Sequence, residues 1–276
     1  MKILQTIPSQ ATQDGDGVKI ARVADFAGKL LDPFLMVDEL KSDDKADYMG
    51  GFPAHPHRGM ETFTYIIKGG FEHQDQMGNK KVIADGDVQW MSTGFGVVHS
   101  EMPIADAEAG MHGFQIWVNM PAKDKLRPAL YQDSTETGLP VASNNTGAQL
   151  KALAGDWHLA GNNVESPINN LAADAAIADI TLEANGSAKL DLSDRTLAMI
   201  YVHTGSLNGI AAGNMILLDN SELTELKGGE LGAGALIFKG NPLQEPIAHM
   251  GPFVMNHQHE LRQAVMDYQM GKFGAI

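Results

Sequence analysis

Two pairs of side chains, each pair two residues apart, constrain this chain more than any other feature. His55 and His57 lie in the stretch GGFPAHPHRGMETFTYIIKGG, and His99 and Glu101 lie in GDVQWMSTGFGVVHSEMP. Residues i and i+2 of a β-strand point to one face, whereas on a helix they do not. If both stretches are extended and adjacent, three imidazoles and one carboxylate converge on a single interior point. Imidazole suits zinc, copper, iron and nickel, and a histidine–carboxylate set with open positions is the pattern of non-heme iron oxygenases. The second pair follows a glycine- and serine-rich turn and the apolar run Val97-Val98, a strand context that an accidental His-x-His lacks.

The surrounding sequence predicts short strands and tight turns. Strands are expected over 60–67, 71–74, 82–83, 87–91 and 112–120, with turns at Gly69-Gly70, Met77-Gly78-Asn79-Lys80 and Asp85-Gly86. That is the signature of a small β-barrel. Residues 1–22 read as an edge hairpin around Asp14-Gly15-Asp16-Gly17, residues 30–40 as core, and residues 41–48 as a solvated loop. A similar series recurs over 177–182, 188–192, 197–202, 215–218 and 235–238, which predicts a second barrel of the same kind. The strongest boundary signal is Ser143-Asn144-Asn145-Thr146-Gly147. The expected domains are 1–133, which binds metal, and 134–276, which does not and which ends in a helical segment.

The internal repeat can be aligned roughly. Laying Gly205 on Gly69 sets Asp191 and Ser193 against His55 and His57, and laying 241–243 on 102–104 sets Phe238 and Gly240 against His99 and Glu101. The second barrel is therefore expected to lack ligands. In the tail, Asn256 is expected to cap a helix with Leu261, Ala264, Val265 and Tyr268 on one face. His257 and His259 on that helix are not a ligand pair. His73, His112, His158, His203 and His249 read as packing or surface residues, although His73 and His112 flank the first barrel.

Composition excludes several classes. The absence of cysteine rules out disulfides and thiolate metal sites and suits a reducing compartment. Residues 1–10 carry no basic segment followed by an apolar run, and no run approaches a membrane span, so a cytoplasmic location without membrane contact is expected. A net charge of −14 and a pI near 5.0 repel phosphate backbones, which argues against direct nucleic-acid binding.

Several longer stretches resemble one family. Gly51-Phe52-Pro53-Ala54-His55-Pro56-His57-Arg58-Gly59, then Glu61-Thr62, Gly86-Asp87-Val88-Gln89-Trp90-Met91 and His99-Ser100-Glu101-Met102-Pro103 are similar to the pirins, two-domain members of the cupin superfamily. The likeness extends to Asp32-Pro33-Phe34-Leu35-Met36, Gln115-Ile116-Trp117-Val118-Asn119, Gly251-Pro252-Phe253-Val254-Met255-Asn256 and Asp267-Tyr268-Gln269-Met270-Gly271. It implies an all-β bicupin: two tandem small β-barrels of jelly-roll type with a short C-terminal helix.

The resemblance also implies a site. One divalent transition metal would be held by His55, His57, His99 and Glu101, iron(II) being favoured while copper, nickel, manganese, cobalt and zinc stay chemically open. The pirin pattern puts the ligating carboxylate at Glu101, so Glu61 is left to a supporting or structural task. Arg58 is expected in a salt bridge, and Phe52 and Gln115 are expected to line the substrate pocket. Two functions follow from the family. One is a dioxygenase that opens the flavonol ring of quercetin or a related aromatic with O2, releasing carbon monoxide, with Glu101 as the base. The other is a non-catalytic, metal-dependent, redox-sensing regulator that binds a protein partner.

Overall fold

The computed structural model describes residues 1–104 and 110–276. The chain forms two compact units that are not contiguous stretches. The first contains Ala11–Glu136 and Leu243–Ile276, and the second contains Met1–Gln10 and Thr137–Pro242. A linear division at 133/134 differs from this at both chain ends. The Lys2–Pro8 strand is hydrogen-bonded to the Asn214–Asp219 strand, and the C-terminal helix packs on the Ala248–Met250 and Phe253–Met255 strands beside the first unit's core.

Both units are β-structures built from antiparallel strands. In the first, a seven-stranded sheet runs in the order Leu130–Asp133, Val88–Ser92, Met60–Lys68, Met111–Asn119, Phe34–Ser42, Val18–Ala24, Gln10–Asp14. A four-stranded sheet, Phe52–His57, Val97–Pro103, Gly70–Asp75, Lys80–Ala84, meets its inner face. The Met60–Lys68 strand (METFTYIIK) is rich in β-branched and aromatic residues and buried over most of its length, as a central strand requires. Gly59 turns the chain from the Phe52–His57 strand into this one. Its φ is +78°, and a Cβ there would lie 2.2 Å from the Val254 carbonyl oxygen, so only glycine fits.

The predicted N-terminal hairpin holds from Gln10 onward, where the Gln10–Asp14 and Val18–Ala24 strands flank the turn. Residues 2–8 depart from it because their hydrogen bonds go to residues 214–219. The Ser143–Gly147 signal is a hairpin turn between the Val141–Ser143 and Ala148–Ala154 strands inside the second unit. Turn chemistry looks the same whether the chain reverses within a sheet or leaves it.

The second unit is built on a nine-stranded sheet in which one long strand, Thr224–Gly240, serves twice. Its first half pairs with Ser187–Leu190 and its second half with Ala176–Leu182 and Leu197–Leu207. That topology corrects the sequence alignment of the repeat. The strand bearing His55 and His57 pairs with the strand bearing His99, and the equivalent pairing here is Ser187–Leu190 with residues 224–227. Matching Val97↔His57 to Thr224↔Leu190 sets Ala188, Leu190 and Leu226 against His55, His57 and His99, and Gly228 against Glu101. Asp191 and Ser193 instead lie exposed, bonded to each other, and Phe238 corresponds to the strand after His99. A linear alignment missed this because bulges shift the register.

The tail helix spans Gln258–Gln269 and buries Leu261, Ala264 and Asp267. Its N-cap is His257 rather than Asn256. The Glu260 carboxylate accepts from both the His257 and Asn256 backbone N–H groups, while the Asn256 side chain donates to Glu245 and the Pro246 carbonyl. Asp267 reaches Arg58 at 3.0 Å, so the expected Arg58 salt bridge ties helix to sheet. The Arg58 guanidinium also lies between the Phe95 and Phe273 rings, 4.3 and 4.6 Å from their centroids. Among the described residues no helix is long and apolar enough to cross a membrane.

Candidate metal centre

The strands bring the three predicted imidazoles together. His99 lies directly opposite His55 in the antiparallel ladder, and His57 is two residues along from His55. Ring centroids are 4.4 Å apart for His55–His99, 4.8 Å for His55–His57 and 5.1 Å for His57–His99. One ring nitrogen from each lies within 4.8 Å of the others. Glu101 falls in a second, overlapping group with His73 and His99, also within 4.8 Å. The register shifts between His99 and Glu101, which re-aims the carboxylate relative to the first pair.

Two of the tautomers are set by the backbone. His55 Nδ1 lies 2.8 Å from the Pro53 carbonyl oxygen and His57 Nδ1 lies 3.2 Å from that of Pro252. A carbonyl accepts only, so each Nδ1 is the protonated nitrogen and each Nε2 keeps its lone pair. This is the arrangement in which histidine ligates metals. Burial lowers the His57 pKa well below the usual imidazole range, with the nearby His55 ring acting in the same direction. Burial does the same to His99, followed by His55, His57 and His73. Both are therefore neutral, the ligating form.

His99 supplies the test of fit. It is fully buried, and neither ring nitrogen has a hydrogen-bond partner. An unpartnered buried polar group costs roughly 1–3 kcal/mol. A cation on one nitrogen would remove that penalty, and beside two rings with free Nε2 lone pairs the donors fit a first-row transition metal.

Glu101 is held from three strands. Its Oε1 accepts from Thr64 Oγ1 at 3.0 Å and Gln89 Nε2 at 2.9 Å, and its Oε2 accepts from Gln115 Nε2 at 3.0 Å. These donors belong to a polar row of directly opposed residues across the larger sheet: Arg22, Asp38, Gln115, Thr64 and Gln89. Glu61 lies outside both groups, fully buried, 3.3 Å from Arg127.

A cavity of about 500 Å³ opens onto the centre. His55, His57 and Glu101 line it, together with Phe52 and Gln115. Trp117 and the pair Arg22–Asp38, which sequence reasoning did not single out, line it too, and so does His249, expected as a packing or surface residue. Trp117 stands edge-on to His57 at 5.2 Å, and His249 stacks on Phe26 at 3.8 Å. Trp117 was within reach of the strand rule, since it is two residues from Gln115. His73, expected as a packing or surface residue flanking the first barrel, lies next to the centre. Its Nε2 lies 3.1 Å from Asp75, its Nδ1 is buried without a partner, and it faces Glu101 across the ladder.

A β-fold unit with inward imidazoles at the mouth of a cavity, joined in one chain to a sister unit with an apolar interior, defines a bicupin. Within that class the chain belongs to the pirin family. The Pirin family model matches residues 17–118 and the Pirin C-terminal cupin domain model matches residues 177–274. A Vibrio cholerae protein named "Putative quercetin 2,3-dioxygenase" is 44% identical, over 99% of this chain and 97% of its own. The crystal structure of a quercetin 2,3-dioxygenase from Acinetobacter baumannii superposes with a TM-score of 0.86 at 29% identity, covering 100% and 99% of the two chains. A bacterial pirin from Escherichia coli, solved in complex with nickel(II), shares the fold with a TM-score of 0.59 at 20% identity, over 85% and 96%.

Proposed function

We propose that this protein is a metal-dependent dioxygenase that opens the flavonol ring of quercetin or a related aromatic with O2. The observation that carries the reading is that His55, His57 and Glu101 are themselves walls of a cavity whose lining also includes the aromatic and apolar side chains of Phe26, Met36, Phe52 and Trp117. A buried structural metal would have no such opening. Relatives and a structural neighbour named as quercetin 2,3-dioxygenases support the same reading.

His55, His57, His99 and Glu101 would hold the ion, iron(II) being the choice favoured by a histidine–carboxylate set. When bound, the metal supplies Lewis acidity and redox chemistry with dioxygen. Phe26, Phe52 and Trp117 offer flat apolar surface to an aromatic substrate and exclude water from it. Glu101 is the group that takes the proton of the substrate's 3-hydroxyl. Its Oε1 already accepts two hydrogen bonds whereas Oε2 accepts one, so the single open lone pair lies on Oε2 and would serve the ion or the proton, one at a time. Thr64, Gln89 and Gln115 hold the carboxylate at that position, which is the geometric requirement of a general base.

The test is anaerobic loading with iron(II), then quercetin, then oxygen, while the flavonol absorbance is followed. Loss of the flavonol band at catalytic protein concentration is expected. Stoichiometric binding without turnover would overturn the enzyme reading in favour of a metal-dependent binding module.

A further inference from the structure

We propose that the outer end of the cavity, built from Arg22, Asp38 and Asp14, is a specificity subsite for a pair of neutral hydroxyl groups on the substrate's far ring. This rests on the dioxygenase reading and narrows its substrate class.

The polar row is the starting point. It runs from the residues that hold Glu101, through Gln115, to Asp38 and then Arg22, each opposed to the next across the sheet. The fold does not require it. In the second unit, one inward-facing row of the same five strands reads Ala152, Ala178, Ile237, Ile200 and Ile216, all buried. Adjacent strands lie about 4.8 Å apart, so Arg22 stands on a strand roughly 10 Å from that of Gln115. The row therefore measures a length along the cavity wall. A flat molecule with one oxygen at the histidines would reach Arg22 and Asp38 with its other end.

The chemistry of that end selects the ligand. Arg22 donates through Nε to Asp38 Oδ1 at 2.8 Å and through Nη2 to Asp38 Oδ2 at 2.6 Å, and Nη2 also donates to Asp14 at 2.5 Å. Nη1 makes no hydrogen bond among the described residues, so both its N–H donors are available. Two carboxylates and one guanidinium carry a net charge of −1, which repels a carboxylate or phosphate. A hydroxyl both accepts and donates, so it can take an Nη1 hydrogen while giving its own to Asp38 or Asp14. A vicinal pair does so twice, with each oxygen matched by a donor and an acceptor. Phe26, face to face with His249, lines the same cavity and suits a ring that carries those hydroxyls.

Iron(II)-loaded protein under nitrogen is titrated with quercetin and with the flavonol that lacks both hydroxyls on its pendant ring. Binding is read by calorimetry, so it does not depend on turnover. Quercetin should bind about 10-fold or more tightly in the wild type, as hydrogen bonds to charged groups imply. In Arg22→Gln that ratio should fall below about 3-fold, the remainder expected of weak exposed contacts. A wild-type ratio near one, or a ratio unchanged in Arg22→Gln, would overturn the subsite. Should Arg22→Gln fail to fold, Asp14→Asn perturbs an exposed residue and makes the triad neutral. There an analogue with a carboxylate on the pendant ring should gain about 3-fold relative to quercetin, and no gain overturns the charge argument. Assays in oxygen separate the two proposals. Equal kcat/KM for both flavonols removes the subsite and leaves the dioxygenase, whereas tight, selective binding without turnover does the reverse.

Discussion

The two units of this chain fill equivalent interior positions with opposite chemistry. Where the first has His55, His57 and His99, the second has Ala188, Leu190 and Leu226, all within its hydrophobic core. Where the first has Glu101, the second has Gly228. His73, which faces Glu101, is matched by the fully buried Leu207, which faces Gly228. The difference separates what the fold needs from what the site needs. Two packed β-layers close well over leucine and alanine, which satisfy the interior by burial alone. The histidine-bearing interior leaves ring nitrogens without partners and holds a carboxylate by three side-chain donors. Among the described residues, the unpartnered ring nitrogens and the triply held carboxylate belong to the first unit, beside its cavity.

That comparison can be broken at several points, and the largest effect is expected at Glu101. Glu101→Gln removes the proton acceptor while keeping the shape and the three imidazoles. Turnover at saturating quercetin should fall about 10²–10⁴-fold with much of the metal retained. Wild-type turnover by a variant shown by elemental analysis to be loaded would reassign the base.

Importing the site's chemistry into the second unit is expected to be costly. Leu226→His places an imidazole without ligating neighbours in an apolar core, and unfolding by denaturant should register a loss of roughly 2–5 kcal/mol. Little or no loss would mean that this interior tolerates polar groups and that the contrast between the units is shallow.

The reverse exchange should stabilise. His99→Leu removes two unpartnered ring nitrogens and supplies the residue found at the matching position, so the metal-free protein should gain about 1–3 kcal/mol while losing stoichiometric metal. A destabilised metal-free variant would indicate that the imidazole is satisfied in a way that its surroundings do not reveal.

The remaining effect is a pH dependence. Because burial depresses the folded-state pKa of His57 and His99, the unfolded chain binds more protons than the folded chain below about pH 6.5. Stability of the metal-free protein is therefore complete above that pH. It falls as pH drops toward the folded pKa values, by about 1.4 kcal/mol per unit for each histidine. Urea unfolding at pH 5 and pH 7 measures it, and the double variant His57→Leu with His99→Leu should flatten the slope. An unchanged slope in that variant would place the titrating groups elsewhere.

Local spacing was enough to read much of this protein from its sequence. The i, i+2 rule placed His55 beside His57 and His99 near Glu101 because side-chain alternation belongs to a single strand. Glycine- and asparagine-rich turns marked most strand ends, and the pirin-like stretches identified the family before any geometry was known. Long-range pairing decided the rest. Thr64, Gln89 and Gln115 hold Glu101 only because three strands distant in sequence lie side by side in register. Arg22 and Asp38 join that row for the same reason, and nothing near them in the chain announces it. The true counterparts of the ligands were hidden because bulges shift the pairing and one long strand serves as two. A strand's own sequence determines which side chains share a face, but hydrogen bonding to its neighbours determines which faces meet.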